Sequence, residues 1–262
     1  MNETSQESHT TELLKLKQGV IYGPVSSRRL GKSLGINLLP RKDKVCSFDC
    51  IYCQYGRTRR KMAVPEEDIF PAAEEVLPQV ERALKERGHL DYITFSGNGE
   101  PTIHPDFGRI VEHTVILRNE IRPGIPTAIL TNSSRLSEKE IMRAVSRLDK
   151  PIAKLDAGNA KDFMKISRPH PDIDFEAVLG GIKSTKNATI QSVLFGGPIS
   201  NSKGKSLDSL IEAIAYIQPV EVQIYSTVRP VPSASIIQLP GSRLREIASL
   251  MHERLKVPVR AY

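Results

Sequence analysis

All three cysteines of this 262-residue chain fall in one window, Cys46-Ser47-Phe48-Asp49-Cys50-Ile51-Tyr52-Cys53. Short turns between them let three thiolates converge on one centre, and thiolates are the ligands of iron–sulfur clusters and of zinc. Three thiolates leave a four-iron cluster one ligand short, and an open position makes such a site reactive rather than only structural. Zinc is the competing reading. A structural zinc needs four closed ligands, but the nearest histidines are His9 and His89, and Asp49 is squeezed between two of the cysteines.

Other residues with chemistry to offer recur just after extended runs. In Ser96-Gly97-Asn98-Gly99-Glu100-Pro101-Thr102, Gly97 and Gly99 permit positive φ and close approach of the backbone. Asn98 tolerates left-handed geometry, and Glu100 can pair with a cation. The plain alternative is an ordinary strand-to-helix turn. Asn132, in Thr131-Asn132-Ser133, carries donors and an acceptor suited to a ribose or a carboxylate, or to an Asx turn. Lys154 and Asp156 share a face by the period of two. An inward lysine can form an imine or grip an anion, and otherwise pairs with Asp156. Gln191, Gln223 and Tyr225 lie on extended runs and are placed to line a cavity. Arg168, His170 and Arg229 are weaker candidates in loops.

The elements that must position these residues alternate. Strands are expected at Gly35–Leu39, Asp91–Phe95, Thr127–Leu130, Ile152–Leu155, Thr189–Phe195 and Glu221–Ser226, with a final extended segment at Val257–Tyr262. Helices are expected at Glu66–Arg87, Asp106–Arg118, Ser137–Arg147, Phe175–Ser184, Leu207–Ile217 and Ser242–Leu255. In the first, Ile69, Ala72, Ala73, Val76, Val80, Ala83 and Leu84 give an apolar stripe near the 3.6 period. Pro71 fits its first turn and Pro78 should kink it. Ser137 with Glu140 reads as a capping box. Six βα units imply a parallel sheet with right-handed crossovers. The expected fold is α/β: a partial, open (β/α)6 TIM-type barrel, a single domain over residues 20–262 behind a polar tail, residues 1–19. In such barrels the catalytic face is the edge after the strands, and the polar motifs all fall there.

Bulk properties narrow the function classes. The formal charge is +7 and 39% of residues are hydrophobic. A basic balance favours an anionic partner such as a nucleic acid or a phosphorylated metabolite. Arg57, Arg59, Arg60 and Lys61 follow the cysteines, and Arg28, Arg29 and Lys32 precede the first strand, so both runs can flank a site mouth. With no tryptophan and 5% aromatic residues, extensive base-stacking platforms are excluded. No apolar run suffices to span a membrane. Met1–Thr10 is polar, lacks a signal-peptide core and is expected to be disordered. An odd number of tightly spaced cysteines argues against a disulfide framework and for a reducing cytoplasm.

The spacing Cys46-x3-Cys50-x2-Cys53, with aromatic Tyr52 before the last cysteine, resembles the signature of the radical S-adenosylmethionine (SAM) superfamily. The resemblance implies that Cys46, Cys50 and Cys53 hold a [4Fe-4S] cluster, and that the fourth iron takes the amino and carboxylate groups of SAM. It implies an electron donor such as a flavodoxin or ferredoxin, and cleavage of SAM to methionine and a 5′-deoxyadenosyl radical that abstracts hydrogen from a substrate. Tyr52 would pack by the adenine. The turn Gly97-Asn98-Gly99-Glu100-Pro101 resembles the family's Gly-Gly-Glu-Pro motif, departing from it at Asn98, and with Asn132 and Asp156 would orient SAM. Lys154 and Tyr225 are then the candidate catalytic residues on the substrate.

Over most of its length the chain is also similar to a subgroup related to wyosine tRNA synthases. The matching segments are Tyr22-Gly23-Pro24-Val25, Ser27-Arg28-Arg29-Leu30-Gly31, Lys154-Leu155-Asp156-Ala157, Ser167-Arg168-Pro169, Phe195-Gly196-Gly197-Pro198 and Val222-Gln223-Ile224-Tyr225-Ser226. That similarity implies a tRNA base as substrate. The wyosine enzymes carry further cysteines for a second cluster and this chain has none, so pyruvate chemistry at a second cluster does not carry over. A peptide or small-metabolite substrate, and a non-catalytic zinc or iron–sulfur module, are the alternatives.

Overall fold

A computed structural model describes residues 12–65 and 69–262. The expected tail Met1–Thr10 and the expected helix start at Glu66 lie outside these residues. In chain order the elements are β1 (Ile21–Ser27), β2 (Gly31–Ile36), β3 (Val45–Cys46), β4 (Arg60–Lys61), α1 (Ala73–Glu86), β5 (Tyr92–Phe95), α2 (Phe107–Ile121), β6 (Thr127–Thr131), α3 (Lys139–Val145) and β7 (Lys150–Lys154). Then follow α4 (Ala160–Ile166), α5 (Phe175–Ser184), β8 (Thr189–Val193), β9 (Phe195–Gly196), α6 (Gly204–Ile217), β10 (Glu221–Tyr225), β11 (Ile237–Gln238), α7 (Gly241–Leu255) and β12 (Val259–Ala261).

One eight-stranded sheet carries the fold, in the order β1-β2-β5-β6-β7-β8-β10-β12. From β2 to β12 every neighbouring pair is parallel, and β1 adds antiparallel to β2. Among the described residues no pairing joins β1 to β12, so the barrel is partial and open. The six strands β2, β5, β6, β7, β8 and β10 are the six expected βα units.

Alternation along the strands builds two layers. Ile93, Phe95, Ile129, Ala153, Ile190, Val222 and Ile224 face the helices and are buried with their stripes. On α1 that stripe is Ala73, Val76, Val80, Ala83 and Leu84. The opposite face is the barrel interior. There Leu30, Ala128 and Ile152 form a small separate apolar cluster with Tyr92 and Leu130. Two residues further along β7 comes Lys154, in register with Gln191 of β8, which is in register with Gln223 of β10. The interior is thus apolar at its floor and polar towards the strand ends.

Several expected boundaries move. The first barrel strand begins at Gly31 rather than Gly35. Pro71 lies before α1 and accepts from His104 Nε2, and Pro78 sits inside α1 without ending it. Ser137 is not a cap: α3 starts at Lys139, after Glu138, with no side-chain capping bond. The extra helix α4 starts at Asn159, whose side chain accepts from Asp162 N. Strand β1 was not expected because Pro24 lies within it, and an edge position is where a sheet tolerates proline. No helix among the described residues is long and apolar enough to cross a membrane.

Candidate active site

The cysteine loop enters over the C-terminal edge of the sheet and is clipped to the glycine turn after β5. Val45 N donates to Asn98 O and Glu100 N donates to Val45 O, each at 3.2 Å. This close approach is what the glycines serve. A Cβ on Gly99 (φ +150°) would lie 1.6 Å from Val45 O, and one on Gly97 2.1 Å from Asn37 Oδ1. Gly99 thus admits the backbone of the cysteine loop and Gly97 the side chain of Asn37.

Asn98, expected in the cofactor set as part of this turn, has its side chain committed to the chain's own backbone. Its side chain is fully buried, accepts from Lys17 N at 2.7 Å, and donates to Lys17 O and Pro40 O, each at 2.9 Å. Both amide hydrogens are used to staple residues 17 and 40, so the side chain has no donor left for a ligand.

The other flank of the loop is strapped by the Ser167–His170 segment. Asp49 N donates to Ser167 O at 3.0 Å, and His170 N to Ser47 O at 2.7 Å. Lys61 Nζ reaches Pro169 O at 3.0 Å. Arg168 and His170, weak substrate candidates by sequence, are thus part of the loop's support. Asp49 accepts from Arg57 Nη1 at 2.9 Å and from Thr58 N at 2.8 Å. Its carboxylate anchors the loop instead of offering a fourth metal ligand.

Within this frame the three thiols are free of disulfides, Cys46 buried and Cys50 and Cys53 partly exposed. Asn132 Nδ2 lies 3.4 Å from Cys46 Sγ and 2.8 Å from Ser47 Oγ. Burial pushes the Cys46 thiol up to about 12, against the pull of Lys44. Burial, then the neighbouring Cys46 and Cys53, pushes Cys50 well above the ordinary thiol range. Lys44 is itself buried and donates to Gly56 O at 2.7 Å. Burial opposes its charge, but Cys53, Cys46 and Cys50 together hold its pKa above the ordinary lysine value. Among the described residues no three His, Cys, Asp or Glu side chains close around a single metal ion. The donor set, three mutually interacting thiols with no carboxylate or imidazole, fits a cluster that brings its own bridging sulfides.

Facing the loop, Glu100 is 1% exposed. Its Oε1 accepts from Thr102 N, Thr102 Oγ1 and Thr131 Oγ1, while Oε2 accepts only from Asn132 N, at 2.6 Å. Burial raises its pKa, against these four donors. The carboxylate is fixed, with capacity left on Oε2 for a cation. Glu100, Asn132 and Cys46 are therefore one connected patch.

Asp156 is 4% exposed and accepts from Tyr52 Oη, from Lys154 Nζ at 3.0 Å and from Val193 N at 2.6 Å. Lys154 Nζ also lies 3.3 Å from Tyr225 Oη and within 5.2 Å of the Tyr52 ring centroid. Burial disfavours the Lys154 ammonium, but Asp156 and Tyr225 outweigh it and its pKa stands above the ordinary lysine value. Burial and then Asp156 push Tyr52 well above the usual phenol range. Tyr52, Asp156, Lys154 and Tyr225 thus form one network joining the cysteine loop to the barrel interior. Beside it Gln191 Nε2 donates to Gln223 Oε1 at 3.2 Å, and Gln223 Nε2 is buried without a partner among the described residues. Arg229 is exposed on the loop after β10.

Three contributors were missed or read only as charge. Arg29 stacks on Tyr225, 4.5 Å from the ring centroid, and on Tyr262 at 5.8 Å. Thr131 and Lys44 carried no motif of their own. Outside the loop a groove of about 450 Å³ is lined by Lys42, Lys44, Tyr55, Arg57, Arg59 and Arg60. A larger depression of 660 Å³ between α3 and α5 holds none of the expected site residues.

Comparison with known proteins agrees with this geometry. The family model of the radical SAM superfamily matches residues 44–214. A protein of Brachyspira hyodysenteriae named GTPase Obg is 34% identical over 82% of this chain, but the match covers only 31% of that protein. The UPF0026 protein MJ1312 of Methanocaldococcus jannaschii is 34% identical over 84% of this chain and 67% of its own length. Among solved structures, TYW1 with a lysine-pyruvate adduct bound is 15% identical, with a TM-score of 0.59 over 84% of this chain and 73% of that one. SuiB of Streptococcus suis bound to S-adenosylmethionine is 15% identical, with a TM-score of 0.62 over 87% of this chain and 50% of that one. At such identities the structures speak for the fold alone. The family match spans the cysteine loop and four of the six barrel strands, β5, β6, β7 and β8, and with it the chain belongs to the radical SAM superfamily, whose enzymes work with a [4Fe-4S] cluster and S-adenosylmethionine.

Proposed function

We propose that this radical SAM enzyme acts on an anionic substrate held in the barrel interior, and that the substrate is a tRNA base. Cys46, Cys50 and Cys53 would hold the cluster, and Glu100 and Asn132 would orient the methionine end of SAM. Bound there, the pair supplies a one-electron cleavage of SAM to a hydrogen-abstracting 5′-deoxyadenosyl radical. Gly97 and Gly99 act by letting the cysteine loop close on the Glu100 turn. Asp156 and Tyr52 form the wall between cofactor and substrate. A low-potential flavodoxin- or ferredoxin-like donor would supply the electron, in a reducing cytoplasm.

The observation that carries the anionic reading is a charge imbalance at one ring. Lys154 and Arg29 both lie over Tyr225, at 5.0 and 4.5 Å, yet among the described residues only Lys154 has a carboxylate partner there, Asp156. The buried, unpartnered Gln223 amide adds a donor. Lys154, held as an ammonium by Asp156, is better suited to gripping an anion than to forming an imine, because imine formation needs the neutral amine. The +7 charge and the basic groove outside the loop support a polyanion over a neutral metabolite or peptide.

Filter binding of tRNA across a salt series tests this. A tRNA enzyme should lose affinity steeply between about 50 and 200 mM salt, and Arg29→Gln should weaken substrate-dependent turnover without slowing SAM cleavage in its absence. A flat response with no affinity at low salt rejects the tRNA reading.

A further inference from the structure

We infer that Lys44 is a positioning residue for the cluster's redox chemistry: a fixed, buried cation beside the thiolates that raises the cluster's reduction potential. The inference rests on the cluster reading above and concerns a residue that no motif marks.

Lysine is seldom buried without a carboxylate, and Lys44 is 8% exposed. Among the described residues no ion pair involves it, in contrast with Lys154 and Asp156. Among the described residues its ammonium has one oxygen acceptor, Gly56 O at 2.7 Å, and Lys44 stands two residues before Cys46. Gly56 N in turn donates to Cys53 O at 2.9 Å, and Cys53 N to Cys50 O at 3.1 Å. The side chain is therefore locked onto the turn that carries the last two cysteines, with its charge buried inside the cysteine loop. Cluster potentials respond to local charge and to hydrogen bonds at sulfur. The reduction adds one electron from a low-potential one-electron donor, with no bond made or broken. It makes an anionic thiolate-bound cluster more negative, and a nearby cation in a poorly solvated site stabilises that product most. Arg57, by comparison, is exposed and neutralised by Asp49, so its effect is screened.

A plain strap role, holding Gly56 O, is the rival. The test is a potentiometric titration of the anaerobically reconstituted, SAM-free holoenzyme, followed by electron paramagnetic resonance. Lys44→Gln keeps a donor for Gly56 O and loses the charge, Lys44→Met loses both, and Lys44→Arg keeps the charge. Both neutral variants should shift the midpoint to more negative potential by similar amounts. Lys44→Arg and Arg57→Gln should stay at the wild-type value. Neutral variants that titrate at the wild-type potential overturn the inference. So does a folded Lys44→Gln protein that takes up no cluster, because Lys44 is then needed for assembly. A wild-type chain that takes up no iron overturns the cluster reading itself.

Discussion

On the loop side of the site the backbone is fastened and the functional atoms are left short of partners. Residues 45–51 are clipped on one flank to Asn98 and Glu100 and on the other to Ile166, Ser167 and Arg168, while among the described residues a single side-chain hydrogen-bond donor, Asn132 Nδ2, lies on the three thiols, at Cys46. On the strand side the functional atoms are crowded. Glu100 holds four donors and Asp156 three. Buried polar groups are retained where they are bonded, so the strand-side carboxylates can be structural and still present a spare lone pair. Thiols packed together without a metal have no such excuse. Burial raises the pKa values of Cys46 and Cys50 and disfavours their thiolate forms, which a metal would relieve by taking its place among them. The loop is built for something added; the strand ends are built to stand on their own and steer what is added.

That contrast can be broken in order of effect. Cys50→Ala should remove iron uptake and SAM cleavage entirely while far-ultraviolet circular dichroism and the melting temperature stay near wild type, because Cys50 is not part of a buried bonded network. Loss of fold would erase the distinction. Asp156→Ala should instead destabilise the fold, by about 3–5 kcal/mol, because it strands a buried ammonium at Lys154; urea melts of the metal-free protein measure it. Asn98→Ala removes three buried bonds and should cost about 3 kcal/mol, with unchanged SAM affinity for the folded fraction. A selective loss of SAM binding would give the Asn98 side chain a direct part in holding the cofactor.

The smallest effect lies next to the Glu100 turn. His104 is 1% exposed, with Nε2 on Pro71 O and Nδ1 accepting from Asp106 N, so it is held neutral. Burial depresses its pKa below the ordinary 6.5. A base with a lowered folded pKa binds fewer protons folded than unfolded. Its contribution is therefore present above the unfolded value and is lost as pH falls through the folded one. Denaturation midpoints should drop between about pH 7 and pH 5, and less so in His104→Asn, which keeps an acceptor for Asp106 N.

Much of the barrel was legible because each strand carried a period of two with a polar residue at its end, and each helix a stripe. Cys46, Cys50, Cys53, Glu100 and Asn132 were legible as a site because short spacing or a strand end fixed their place. For Asn98 the sequence shows a residue that tolerates left-handed geometry between two glycines, and only the tertiary path of residues 17 and 40 shows what uses its side-chain amide. Lys44 and Arg29 were invisible as partners because their neighbours, Gly56 and Tyr225, are distant or unremarkable in sequence. Ser137 carried a capping signature that the structure leaves unused, since helix α3 begins two residues later.

The most direct test of the central claim is anaerobic reconstitution of the purified chain with iron and sulfide, followed by dithionite and SAM. The account predicts a brown protein with a cluster absorbance that bleaches on reduction and releases 5′-deoxyadenosine and methionine in equal amounts, all lost in Cys50→Ala. A colourless protein holding stoichiometric zinc, with SAM left intact, would contradict it.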